Sequence, residues 1–557
     1  MKHIALKSII AAALVLGMTS CADELNISSI DPQSSVSAED MNLLAKCYAT
    51  LGLTGQQGPA GNGDLSDDEG ESGFYRTTFN CQELSTDECI WAWQTDTDIP
   101  QLTNMTWNSS STRTQWVYTR LTYDITLYNN YLQTTADDAD HAYYRAEVRF
   151  LRALHYWYLL DLFGKAPFKT DFDINTLPVE KSGADLYDWL DTELTELEGL
   201  LAPVGSFCNT ESFGRADQGA AYMLHARLAL NSSIYTKGAK SEYQKAIDYS
   251  NLLISSGKYA LSTKAKNGHS GYAQLFMADN DENTEAMQEI ILPIRQDGLK
   301  TRCYSGAMYL VNSIRKAGMP DMGTTNGWSC NFARAAMVKK FFPTLSDCPL
   351  STEEAPDGAT EAEIKALDEQ DGSSTKQIIY AAGDDRALLY AGRGGGVRKR
   401  QADVITSFND GLSFVKWDNH RADGGSTHDN TEYPDVDIPL FRLAEAYLTR
   451  AEAEWRLGQT AAAVADINVL RSRANASQIT SIASDMDILD EWCREFYMEG
   501  RRRSDLVRFG CFTTSKYLWD WKGGSPTGTA VDSKYNVYPI PADDIVNNSN
   551  LTQNEGY

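Results

Sequence analysis

The sequence predicts a mainly α protein: a tetratricopeptide-like scaffold of helix pairs into which a loop-rich second lobe is inserted. Apolar residues recur at helical spacing in stretches on both sides of the chain's middle. Small alanines face leucines within the paired stretches, as close helix crossings require. Residues 265–435, by contrast, carry many Gly, Asp and Thr residues and little helical period.

The elements follow in chain order. Lys2 and Lys7 flank the start of an apolar run, Ile9 to Leu16, that is too short to span a bilayer. Gly17-Met18-Thr19-Ser20-Cys21 follows at once. Small residues before a cysteine at this distance read as a lipoprotein signal over residues 1–20, with Cys21 the acylated N-terminus of the mature chain. Residues 21–42 are polar and serine-rich, a tether from lipid to folded body. Residues 43–264 combine a loop region with short helices, up to about 135, and the start of the scaffold. There Tyr143 to Phe163 sets Ala146, Phe150, Ala153, Leu154, Trp157 and Leu160 on one face, and Gly164 stops the helix. Residues 184–202 form the next helix, and Gly219 to Leu230 pairs with Tyr243 to Ile254. The insertion, 265–435, holds Ile290 to Ile294 as an edge strand. In residues 436–557, Leu440 to Leu457 and Ala461 to Ala474 form a further pair joined at Gly458.

Composition narrows the function. A chain of 557 residues buries one large core or two to three domains. Net charge is −26, and −28 once the two lysines of residues 1–20 are removed, which argues against nucleic acid and suits a neutral ligand. The ten cysteines form no CxxC pair, so mostly buried free thiols are expected rather than zinc ligands.

Several segments resemble the SusD/RagB family of outer-membrane nutrient-binding lipoproteins: Arg149 to Ala153, Asp161 to Pro167, Arg442 to Tyr447, Arg471 to Ala474, Glu495 to Arg501 and Asp505 to Arg508. Tyr538-Pro539-Ile540-Pro541 and Asn550 to Tyr557 resemble the family's ending. These are helix faces, a capping glycine and Arg–Glu pairs, and they bear on fold rather than ligand. Within the family the likeness is closest to its starch-binding founder member, through Asp68 to Arg76, Ile90 to Gln94, Met322 to Ser329 and Lys516 to Trp521.

Sugar rings have flat apolar faces edged by hydroxyls, so a glycan site needs aromatic platforms and planar polar groups. Trp91 and Trp93 are two apart and share a face in an extended segment. The resemblance implies that Trp93, Tyr304 and Trp328 form an aromatic arc for a curved α-glucan, with Trp91 in support. It also implies Asp68 and Arg76 as polar partners of the sugar hydroxyls, a carboxylate accepting and a guanidinium donating. At Asp96 the starch-binding likeness expects asparagine; a carboxylate there accepts but cannot donate.

Calcium is the expected cofactor. Asp279-Asn280-Asp281-Glu282-Asn283 opens like a calcium loop but fails as an EF-hand, with Thr284 in place of the glycine and Ile290 in place of the closing Glu. Asp435-Val436-Asp437 is a second oxygen cluster, with both carboxylates on one side if extended. The resemblance points to Asp281, Asp435 and Asp437 as one site tying the insertion to the scaffold. Gly394-Gly395-Gly396 lacks the Lys of a phosphate loop and reads as a turn, and Arg501-Arg502-Arg503 reads as an ion-pair cluster.

The expected function is non-catalytic capture of starch and maltooligosaccharides at the outer-membrane surface. Delivery to a SusC-type TonB-dependent transporter follows from the resemblance. Two alternatives remain open on the residues alone. One is a secreted glycoside hydrolase, which needs two carboxyl groups at about 5–9 Å; the other is a helical-repeat scaffold binding only protein partners.

Overall fold

The computed structural model describes residues 38–55, 63–66, 70–316, 319–428 and 432–557. Cys21, the leader 1–20, the first part of the tether and Asp68 lie outside the described residues.

Helices dominate, in the tetratricopeptide-like arrangement expected. Ala142–Phe163 ends at Gly164, whose φ of 68° lets its N–H cap the Leu160 carbonyl. Gly183–Glu198 follows. Tyr243–Ser255 lies between Gln218–Leu230 and Leu443–Arg456, and Thr460–Arg473 packs on the latter. Pairs far apart in sequence therefore form one continuous stack.

Three expectations need correction. Helix Ala38–Gly52 begins inside the stretch assigned to the tether, so residues 38–42 belong to the folded body. Residues 43–135 are not mainly loop: Thr112–Thr134 is a helix of 23 residues. Its buried stripe includes Arg113, Thr114, Arg120 and Asp124, which hides the apolar period. Arg120 is buried because it donates to the carbonyls of Ser72 and Thr54 at 2.8 and 2.9 Å. Residues 440–442 are strand rather than helix. Ile438–Arg442 pairs antiparallel with Ile290–Ile294, and both strands are buried along their whole length.

The insertion is loop-rich over most of its length, as expected. It contains helices Gly306–Ile314, Ala335–Phe341, Glu361–Gln370 and Thr375–Ala382, and most of an antiparallel sheet. The sheet runs Cys89–Trp91, Asn331–Ala333, Leu412–Phe414, Leu389–Tyr390. Its first strand comes from well before the insertion.

One contiguous apolar core runs through these elements. Ion pairs threaded through it hold helix to helix. Glu495 receives Arg442 at 2.6 Å, Arg386 at 3.2 Å and also Arg473. Arg227 meets Glu445 at 2.6 Å, Arg508 meets Glu452 at 2.8 Å, and Arg149 meets Glu193 at 2.8 Å. In the triple-arginine run, Arg501 pairs with Glu445 and Asp505, Arg502 with Asp87, and Arg503 donates to main-chain carbonyls. Removing one partner of such a pair strands a buried charge, so the network enforces helix register. All nine described cysteines are free thiols, and all but Cys208 are buried.

Candidate functional site

The site begins where the strand Cys89–Trp91 ends. The N–H of Ala92 still reaches the Cys330 carbonyl at 2.7 Å, and then the chain turns back, with Asp96 N–H on the Trp93 carbonyl at 3.1 Å. The strand thus ends before Trp93, and the two tryptophans lie at different depths. Trp91 is 3% exposed and stacks on Tyr309 with centroids 5.7 Å apart, whereas Trp93 is 44% exposed. Trp91 props the site from beneath: its Nε1 donates to Asp96 Oδ2 at 3.0 Å.

Trp328 is set by the C-terminal end of helix Gly306–Ile314. Its N–H meets the Asn312 carbonyl at 2.7 Å, and the next residue, Ser329, takes a left-handed φ of 55°. Trp93 Nε1 donates to the Trp328 carbonyl at 2.8 Å. Tyr304, just before the same helix, lies with its ring 6.2 Å from Trp328 at 71°, and stacks at 22° on Tyr433. Gly70 makes room for it: at a φ of 90°, a Cβ there would sit 2.3 Å from the Tyr304 carbonyl carbon.

Arg76, on helix Phe74–Glu83, donates to the Tyr304 carbonyl at 2.8 Å and to Glu71. Glu71 is shared with Arg113 at 2.6 Å. The Arg76 guanidinium carbon lies 4.9 Å from the Tyr309 ring centre and 5.6 Å from that of Trp328. Arg76 is thus a brace for both rings as well as a donor, and its Nε has no hydrogen-bond partner.

These groups line an open hollow of about 680 Å³. All five described candidates, Arg76, Trp93, Asp96, Tyr304 and Trp328, meet there. Asn326 and Glu432 also line it and were missed by sequence reasoning. Asn326 lies inside the Met322 to Ser329 motif, which is the signal that points to it; Glu432 has no such marker. The arrangement offers aromatic faces at an angle, donors and several acceptors, which is the equipment for a polyhydroxylated, curved ligand.

The three metal candidates do not converge on one point. Asp281 and Asp437 flank Arg295, at 2.8 and 3.1 Å. Asp437 also accepts from Gln296 N–H at 2.5 Å. Asp435 accepts from the N–H groups of Gly298 and His428, both at 2.8 Å, and its carboxylate groups with Asp297 and His428. Asp437 Oδ2 nonetheless forms no hydrogen bond. Burial, with Asp281 and Asp435 nearby, pushes the Asp437 carboxyl up to about 8 against the opposing effect of Arg295. Asp437 Oδ2 faces Arg295 Nη1, so the guanidinium lies between Asp281 and Asp437 at the place where a divalent cation would have to sit.

Residues 288–557 match the SusD family. The whole chain is 57% identical to the whole of the starch-binding protein SusD of Bacteroides thetaiotaomicron. It is 26% identical to the SusD-like protein P25 of Formosa agariphila, over 74% of this chain and 73% of that one. Among solved structures, a SusD-like protein from Bacteroides fragilis superposes with a TM-score of 0.65 at 17% identity, covering 95% of this chain and 98% of the other. Surface glycan-binding protein A from Bacteroides thetaiotaomicron, in complex with laminarihexaose, does so with a TM-score of 0.63 at 18% identity, covering 93% and 99%. These two likenesses speak to the fold.

Proposed function

The chain belongs to the SusD family, and on that premise we propose that it captures starch and maltooligosaccharides at the cell surface and passes them to a TonB-dependent outer-membrane transporter. It is a binding protein, not an enzyme.

The observation that carries the glucan reading is the meeting of Trp93, Tyr304 and Trp328 on one open hollow. They come from remote parts of the chain, and the Tyr304 and Trp328 rings are set 71° apart. Flat rings at an angle suit a chain whose sugars rotate progressively, as α-1,4-linked glucose does; a flat ligand would meet only one of them. Arg76 supplies donors to vicinal hydroxyls, and Asp96 and Glu432 supply acceptors. The name of the 57%-identical relative agrees with this ligand class.

Titration calorimetry of the mature protein with maltoheptaose, with laminarihexaose as the comparison sugar, tests the reading. Binding of the α-glucan and its loss in Trp328→Ala are expected. Unchanged binding in that variant would remove the hollow from the mechanism, and preference for the β-glucan would remove starch.

Calcium is a further part of the proposal. Asp281 and Asp437 would hold the ion in place of the Arg295 guanidinium that lies between them, with Asp435 adjoining, and it would supply positive charge that cross-links residues 279–283 to 435–437. The lipid anchor at Cys21 and the outer-membrane location belong here too. Among the described residues no helix is long and apolar enough to cross a membrane. An acidic chain repels nucleic acid.

A further inference from the structure

Trp93 and Trp328 each border a second hollow beside the first. It has a volume of about 600 Å³ and is also lined by Lys316, Ser407, Phe408 and Asn409. Phe408 stands edge-on to Trp93, with ring centroids 4.8 Å apart at 66°, so the two rings form a corner. Neither ring is buried, and no core packing accounts for the pair.

The corner is built rather than accidental. Lys316 Nζ donates to the Phe408 carbonyl at 3.2 Å and to Asn409 Oδ1. Asp410 Oδ2 accepts the N–H groups of Asp403 and Val404 at 2.8 and 3.0 Å, closing the loop that presents Phe408. The Lys399 N–H meets the Asn409 carbonyl at 3.0 Å. A loop held at both ends fixes the ring, and fixed rings cost little conformational entropy on binding. The polar rim, Ser407, Asn409 and Lys316, offers hydroxyl, amide and ammonium groups to sugar hydroxyls.

We propose that this hollow is a second subsite, in which the Trp93–Phe408 corner takes up the continuation of a glucan chain already seated on the aromatic arc. The proposal rests on the glucan-binding reading above. Continuity carries it: Trp93, Gly327 and Trp328 line both hollows, so a chain leaving one passes directly into the other. Short oligosaccharides fill the first hollow alone, and longer chains gain from both.

The test is calorimetry of the mature protein with maltotriose and with a long linear maltodextrin, on wild type, Phe408→Leu and Phe408→Tyr. Leucine keeps apolar bulk but removes the flat ring, and tyrosine keeps the ring. For Phe408→Leu, maltotriose affinity is expected to stay unchanged while maltodextrin affinity falls about threefold to tenfold. Phe408→Tyr should retain the wild-type values. A loss of both affinities by the same factor, or of neither, overturns the second subsite and leaves the first reading standing. Failure of wild type to bind either sugar overturns both.

Discussion

The indole nitrogen of Trp93 donates to the main-chain carbonyl of Trp328 across 2.8 Å of space and 235 residues of sequence. The exposed Trp93 ring is thus tied to the main chain that carries the half-buried Trp328 ring. Trp93→Phe keeps a flat ring and removes this bond. Calorimetry with maltoheptaose should show affinity falling about threefold to tenfold, the worth of one hydrogen bond. The melting temperature should be nearly unchanged, because Trp93 lies outside the core. An unaltered affinity would mean that the ring's orientation is set by something else.

Arg76 braces Tyr304 and Trp328 while neutralising Glu71, which Arg113 also contacts. Arg76→Met should therefore weaken glucan binding and unfolding stability together. The stability loss should be about 2 kcal/mol, since Glu71 keeps its second arginine. Urea denaturation and calorimetry on the same preparation check this. Loss of affinity without loss of stability would assign Arg76 to the ligand alone.

Glu83 and Glu88 are buried close together where helix Phe74–Glu83 meets residues 498–502. Burial, and then the neighbouring Glu88, raise the Glu83 carboxyl well above its ordinary value of 4.5; Glu88 is raised too, chiefly by burial. A folded-state pKa raised in this way means that the native state binds more protons than the unfolded chain. Its contribution is therefore fully present below pH 4.5 and is lost as pH rises through the folded value. Glu83→Gln replaces the titratable carboxyl with a permanently neutral amide. Its stability should decline less between pH 5 and pH 9 than that of wild type, as measured by denaturation at a series of pH values. Parallel curves would show that the pair does not hold an extra proton.

If calcium binds between Asp281 and Asp437, the chelated protein should gain thermal stability on adding calcium. The gain is about 2.7 kcal/mol at a hundredfold excess over Kd. Asp437→Asn should abolish it. Scanning calorimetry with and without chelator decides the matter, and an unchanged melting temperature in wild type rejects the ion.

Much of this fold is legible in the sequence because its signals are local. The Ala142–Phe163 helix shows its apolar face and its stopping glycine in one stretch, and the alanine-rich pairs declare themselves likewise. Thr112–Thr134 escapes because buried arginine, threonine and aspartate occupy its inner face, satisfied by partners that only folding supplies. The four-stranded sheet escapes because its strands are two or three residues long and come from four separate regions. At the site, the resemblance selects Trp93, Tyr304 and Trp328, which do meet. Residue spacing alone does not show that the strand ends before Trp93, and so does not separate the buried Trp91 from the exposed Trp93. Phe408 and Tyr433 carry no sequence signal, because their importance is wholly positional.

The strand Cys89–Trp91 finds its partner only at Asn331–Ala333, and the helix bearing Arg76 is held at its far end by the N–H groups of Arg501 and Arg502 on Glu83. The two sides of the hollow thus depend on partners more than 200 residues away in sequence. On the glucan-binding reading, removing the Arg501–Arg502 contact with Glu83 should therefore loosen the helix that carries Arg76 and weaken the hollow from a distance.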